Sequence, residues 1–323
     1  MLAFVARRLL VSVFLILGLL TLVFFVSHLA PGDPLQRYAV GEVDAATLAH
    51  LERQFGLDQP LPVQYGRWLR SFLFDFDFGV SIGQRRAVRD IVLEALPYTL
   101  RLAAAALAVR LLLGVTLGVV AALRRGRRTD LGLGLGALLV YSIPSFWLGL
   151  MLLLLFSWQL QWLPSGQAHR LDAASLSWAA RVADSLLHLL LPVFVLGVGG
   201  AASIFRFARA GMIEVLSQDY VRAARARGLR ERTIVLHHAL RNALLPVVTL
   251  VGLSIPALVG GTVVIESLFS WPGLGRLTVD AIGQRDYPVI MATTFLAGVT
   301  AVAGSLLADL LASWLDPRIR MES

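Results

Sequence analysis

Apolar residues in this chain gather into long blocks and do not follow the short-period alternation of a soluble domain. Six blocks, at 9–28, 99–123, 131–157, 186–206, 243–266 and 289–312, reach the length of about 20 residues that an α-helix needs to cross a bilayer core. The pattern predicts an all-α membrane protein with six transmembrane helices. It divides the chain into an N-terminus with the first helix (1–28), an external region (29–98), and a core (99–323) holding helices two to six and a loop at 207–242. The first block follows Arg7 and Arg8. Its apolar run outlasts the roughly 7–15 residues of a secretory signal and lacks a small-x-small cleavage pattern, so it reads as a retained helix.

Charge orients the helices. The N-terminus, 124–130, 206–242 and the C-terminal tail together hold sixteen arginines against six acids. The alternate segments, 29–98, 158–185 and 267–288, hold eleven arginines against thirteen acids. The positive-inside rule then places both termini and the 207–242 loop in the cytoplasm. "RRGRR" at 124–128 is a topology anchor, and the net charge of +8 reflects this loop bias and not an affinity for nucleic acid. Localisation in a bacterial inner membrane, among lipid, follows as an expectation.

Composition removes several kinds of chemistry. Cysteine is absent, which excludes disulfides, a thiolate nucleophile and cysteine metal sites. All 29 basic residues are arginine, so no lysine exists to complete a GxxxxGK[ST] phosphate loop. If ATP drives this protein, another chain hydrolyses it. His237 and His238 are adjacent and would point about 100° apart on a helix, so no metal site is expected.

Within the external region, "PGDP" at 31–34 signals a turn and "AATLAHLERQFG" a short amphipathic helix ending at Gly56. "VQYGRWLRSFLFDFDFGVSI" mixes aromatic and charged residues as an interfacial segment would, and suits a docking surface. The glycine alternation of "LGLGLGALLV" (131–140) predicts close helix packing. Four charged residues remain inside or at the edge of spans: Arg101, Arg110, Glu266 and Asp309. Arg110 sits near the centre of span two, where an arginine costs about 2.5–3.5 kcal/mol to insert. Arg110, Glu266 and Asp309 are candidates for a pathway or gate. The plainer readings are a topological arginine, a solvated interfacial carboxylate, and a structural pairing of Asp309, seven residues before Asp316, with some arginine.

The stretch "SQDYVRAARARGLRERTIVLHHALRNALLPV" (217–247) is an arginine-rich loop between two spans. Ser217 suits an N-cap and Gly228 a C′ stop, which predicts a helix of roughly ten residues. Tyr220, Ala223, Ala224 and Gly228 fall on one face, flanked by Arg222 and Arg225. A second helix then runs into span five, with Pro246 near its start. A helix lying on lipid would bury Leu, Phe or Trp. This face of small residues fits a surface that another protein approaches closely.

Several strings, in order, resemble the dipeptide/oligopeptide branch of the ABC importer permeases. They are "APGDP", "FGLDQPLPVQYGRWL", "LPYTLRLA", "DYVRAARARGL", "HALRNALLPVVT", "IESLFSWPGLGRL", "RDYPVI" and "DPRIR". The resemblance implies that 207–242 carries a coupling helix seated on a cytoplasmic ATPase, with Tyr220, Arg222, Ala223, Ala224, Arg225 and Gly228 at the contact. It also implies a second, homologous permease, two ATPase subunits that bind ATP and magnesium, an external solute-binding protein, and alternating access without chemistry on the solute. The glutamate that names the family's loop is Arg222 here, and the spacing from Gly228 to Pro246 exceeds that of the family's general motif. The branch also handles nickel complexes and oligosaccharides. A secondary transporter would want midplane ion ligands and internal repeats, which the sequence lacks. Ser142 and Ser145 beside Pro144 suggest an intramembrane hydrolase, but no histidine or lysine base is suitably spaced.

Overall fold

The computed structural model describes the backbone of residues 2–29 and 59–315, and the side chains of 10–26, 59–252, 254 and 262–307. The helix expected before Gly56 lies outside the described residues. Among those described, the fold is helical and no strand forms beyond a single bridge between Val80 and Ala87.

Helix α1 spans Leu2–Leu29 and α2 Leu61–Arg70, the latter continued by a π-helical turn at Ser71–Asp75. Helix α3 is Val88–Leu123, so span two extends back through Pro97 into the segment assigned to the external region. Helices α4 (Arg128–Ser142) and α5 (Ser145–Leu152) follow, then α6 (Trp178–Leu216) and α7 (Asp219–Ala226). Helix α8 (Glu231–Ala243) is π-helical at Ile234–Ala239 and meets α9 (Leu245–Leu268) at a 46° bend. Helices α10 (Leu274–Gln284) and α11 (Tyr287–Leu315) are the last among the described residues.

The third apolar block is not one straight span. Arg128–Ser142 and Ser145–Gln159 are bent against each other by 96°. Pro144 cannot donate into a continuing helix and forces the preceding Ile143 into an extended conformation, ψ 124°. Ser142 and Ser145 are therefore the last and first residues of two helices, on either side of the break.

The most extensive helix pairing is α3 against α6. Gly114 and Gly118 of α3 let α6 approach: a Cβ at Gly114 would lie 2.9 Å from the Ala201 carbonyl oxygen, and one at Gly118 2.8 Å from that of Phe205. Gly197 of α6 takes Val109 in the same way. This is the small-xxx-small packing of membrane helices. The expectation placed on 131–140 is thereby corrected, because Cβ atoms built at Gly132, Gly134 and Gly136 meet nothing within 4 Å.

The aromatic segment after α2 also turns inward. Phe24 of α1, Tyr65 and Trp68 of α2, and Phe72 stack in succession, with Phe72 reaching Phe295 of α11. Phe72 is buried, while Phe74 and Phe76 are left outside. Among the described aromatic residues of this segment, these two are exposed, while Tyr65, Trp68 and Phe78 are half-buried.

Candidate functional site

Two sites assemble around the residues singled out by sequence, one on the 207–242 loop and one at the far end of the helix that follows it.

On the loop, α7 is eight residues long. Ser217 does not cap it. Its hydroxyl donates to the Glu214 carbonyl at the end of α6, and Gln218 occupies the N-cap of α7 without a side-chain bond. Gly228 does end the helix. Its φ of +77° is the left-handed C′ geometry, and its N–H donates to Arg225 O while Leu229 N–H reaches Ala224 O, the paired bonds of a Schellman turn.

Of the expected contact residues, Tyr220, Arg222, Ala223, Arg225 and Gly228 are exposed and Ala224 is turned inward. Val221 and Ala224 point inward and pack with Ile234 of α8 and Val215 and Leu216 of α6. Ala224 is only 8% exposed, so it belongs to the chain's own core and not to an open docking face. The physical cause is the turn at Gly228, which folds α8 back over this side. Asp219, Arg222, Ala223 and Ala226 face outward and are exposed. Tyr220 is exposed too, and its hydroxyl accepts from Asn242 Nδ2 at 2.9 Å and donates to the His238 carbonyl at 3.4 Å. Arg225 grips both oxygens of Glu231 at 3.2 and 2.7 Å, and Arg222 pairs with Asp219 at 2.7 Å. Helix α7 is thus clamped to α8, and α8 leads directly into span five.

At the other end of span five, Glu266 is fully buried. The solvated-carboxylate reading is overturned. Glu266 Oε1 accepts from the Thr99 hydroxyl at 2.8 Å, and Oε2 accepts from the backbone N–H groups of Gly275 and Arg276 at 2.7 and 3.1 Å. Those amides open α10, so a carboxylate from span five caps that helix and meets the positive end of its dipole. Thr99 closes the ring by accepting from Leu274 N–H at 2.8 Å. The glycines of "WPGLG" admit the carboxylate: a Cβ at Gly273 would sit 2.4 Å from Glu266 Oε2. Trp271 Nε1 donates to the Tyr98 carbonyl at 3.1 Å and pins the same corner to α3. Glu266 joins α3, α9 and α10, and its oxygens are occupied within the chain.

Arg110 lies apart from both sites, on the packed face of α3 over Gly200 of α6. The side chain of Asp309 lies outside the described residues, as do the side chains around Asp316.

Two further ties had only faint sequence signals. Asp130, the single acid after "RRGRR", is buried and receives Arg209 Nε and Nη2 at 2.6 and 2.7 Å and Gly126 N–H at 3.0 Å. Asp286 Oδ2 accepts from the Ser81 hydroxyl and Gly83 N–H at 2.5 and 2.9 Å, fastening the loop before α3 to the corner before α11.

Comparison with known proteins bears on the family and the fold. Residues 114–321 match the family described as binding-protein-dependent transport system inner membrane component, and residues 1–103 match the N-terminal model of the same membrane components. The chain is 40% identical over 320 residues to the oligopeptide transport system permease protein AppB of Bacillus subtilis, covering 99% of both. It is 42% identical to a putative peptide permease protein of Brucella ovis, covering 99% of this chain and 100% of that one. The glutathione transport system permease protein GsiC of Salmonella paratyphi A is 41% identical, with 99% of each covered. Among solved structures, an inward-facing MetNI methionine ABC transporter superposes with a TM-score of 0.56 at 17% identity, covering 70% of this chain and 96% of that one, which speaks for the fold alone. The chain is a member of the binding-protein-dependent transport system inner membrane component family, the permeases of ABC importers.

Proposed function

We propose that this chain forms half of the translocation pathway of an ATP-driven importer for peptides, di- or oligopeptides, and works by alternating access. Its partners in this reading are a second permease, two cytoplasmic ATPase subunits that carry ATP and magnesium, and an external solute-binding protein. Six spans and cytoplasmic termini belong to the same reading.

The observation that carries it is the clamp on α7. A short helix with Arg222, Ala223 and Ala226 outward is held through Tyr220–Asn242, Arg225–Glu231 and the Val221–Ala224 face to the helix that continues into span five. A push on the outward face therefore moves a span, which is what coupling to a closing ATPase requires. Relatives named for oligopeptides, peptides and glutathione supply the solute class.

The test is uptake by the complex of this chain with its partner subunits in proteoliposomes. Peptide accumulation should need ATP, and accumulation driven by an ion gradient alone would reject the proposal. Sidedness is read by an impermeant thiol reagent on intact cells, because the chain has no native cysteine. A cysteine at exposed Gln84 should label and one at exposed Ala223 should not. Ser81 is a poor reporter, being fully buried.

A further inference from the structure

Arg110 is a cation placed within a span, and the chain offers it little. It stands on the buried stripe of α3 that includes Leu102, Ala106, Gly114 and Gly118. At 1.5 Å per residue it is about 20 Å from the cytoplasmic end of that helix. Opposite it, α6 is thinned by "GVGG" at 197–200. A Cβ at Gly200 would fall 1.8 Å from Arg110 Nε and 2.1 Å from its Cζ, so the guanidinium occupies the room that a side chain would take. Glycine in a helix interior is less favourable than alanine, and here it makes a seat for a cation.

The seat does not neutralise the charge. Nη2 donates to the Leu196 carbonyl at a long 3.3 Å, and Nε is enclosed without an acceptor. No carboxylate pairs with Arg110 among the described residues. Of the two acids that the sequence places in or at the edge of spans, Glu266 is already occupied by Thr99, Gly275 and Arg276. Asp309 stands only about 9 Å from the last residue of α11, which at 1.5 Å per residue puts it nearer the cytoplasmic end than Arg110. A guanidinium held in place by one neutral carbonyl keeps unused donors in its planar fork, and that fork matches a carboxylate.

We propose that Arg110 is a solute-binding residue of the pathway, receiving the free α-carboxylate of a peptide in transit. This rests on the peptide-importer reading above. A fixed counterion would leave the arginine satisfied at all times, whereas a travelling carboxylate satisfies it only while solute is in the pathway.

The experiment uses the full transporter in proteoliposomes, with one binding protein at saturation, and compares uptake of dialanine with that of dialanine amide. Wild type should prefer the free acid. Arg110→Gln should lower the acid-to-amide ratio about ten-fold or more, the scale expected when one partner of a buried charge pair is lost. Arg110→Lys, which keeps charge without the fork, should retain part of the preference. Gly200→Ala displaces the guanidinium without removing it, and should move the ratio in the same direction as Arg110→Gln even if that variant folds poorly. Acid and amide uptake falling together in the variants would make Arg110 a packing residue and overturn the proposal. An unchanged ratio would overturn it too, and so would loss of the partner permease on purification, which would place the counterion in that subunit. Wild type importing neither compound would fail the peptide reading itself, a result separable from the others because it needs no variant.

Discussion

The Thr99 hydroxyl and the Glu266 carboxylate meet at 2.8 Å across 167 residues of sequence, and on this bond the corner between α9 and α10 is built. Glu266 bonds helix α10 through the amides of Gly275 and Arg276, so three helices depend on one buried acid. Glu266→Ala would strand the Thr99 hydroxyl and both amides. A buried donor left without its acceptor costs about 1–3 kcal/mol. Glu266→Gln is the gentler change, yet it turns an amide NH₂ toward a donor on one side. Thermal unfolding in detergent, followed by size-exclusion fluorescence, should rank wild type above Glu266→Gln and Glu266→Ala last. Equal midpoints for all three would remove Glu266 from this role.

On α7, neighbouring alanines should behave oppositely. Ala224 packs against Val221 and Ile234, so Ala224→Glu buries a charge without a partner and should lower protein yield and stability. Ala223 is exposed, so Ala223→Glu should leave yield unchanged while separating ATP hydrolysis from uptake. A cysteine at 223 should also cross-link to an ATPase subunit more readily than one at 224. Similar loss of yield from both substitutions would mean that the outward face has been misassigned.

The contrast between these alanines marks where sequence reading stops. Gly228 was legible because a helix stop at positive φ has one preferred residue, and that residue stood at the end of the roughly ten residues that follow Ser217. The inward turn of Ala224 was not, since small-residue spacing names a face without saying what covers it. The cover is α8, folded back by the same Gly228. Glu266 was conspicuous as an acid at the end of an apolar run, but its partners on α3 and α10 are set by tertiary contact that no local pattern records. Span three shows the reverse failure: Pro144 was visible, and hydropathy alone smoothed over the 96° break it causes.

The Arg225–Glu231 pair gives the loop a dependence on pH. The hydrogen bond from the Arg225 guanidinium, with its charge, holds the Glu231 carboxyl below its ordinary range against a smaller opposing effect of burial. The unfolded carboxyl titrates near about 4.3. The pair therefore stabilises the loop fully above that value and loses the contribution as pH falls through the lower folded value. Proteolysis at the arginines around Gly228, measured on purified complex with an acid-tolerant protease, should accelerate over that window in wild type. Arg225→Gln should show fast cleavage with little pH response. A wild-type profile flat across the window would dismiss the pair as a clamp.

Asp130 and Arg209 should prove coupled in a double-mutant cycle. Their two bonds of 2.6 and 2.7 Å tie the 124–130 loop to α6, with the carboxylate buried and the guanidinium partly open. Asp130→Asn and Arg209→Gln each break a bidentate pair, and contacting residues of this kind show interaction energies of about 0.5–3 kcal/mol. The double variant should therefore cost clearly less than the sum of the singles. Strict additivity of the unfolding midpoints would show that the pair contributes only through its separate contacts.

Glycines that look alike in sequence should part company when replaced by alanine. In "GVTLG" (114–118) an added Cβ would meet Ile204 and the Ala201 carbonyl at one end and the Phe205 carbonyl and Ala208 at the other. Carbonyl oxygens of a helix cannot rotate aside as a flexible side chain can, so α3 and α6 would have to separate along their whole contact. Interfaces of this type hold by close van der Waals packing, with no hydrophobic drive in lipid to replace it. In "GLGLG" (132–136) the same added atom meets open space, and alanine is the better helix former by about 1 kcal/mol per residue. Gly114→Ala and Gly118→Ala should lower the unfolding midpoint, and the pair together should impair assembly. Gly132→Ala and Gly134→Ala should leave the isolated chain as stable or slightly more so. If the second pair instead destabilises only the assembled transporter, those glycines pack against another subunit; if it destabilises the isolated chain as much as the first, the α3–α6 contact is not where the chain's close packing resides.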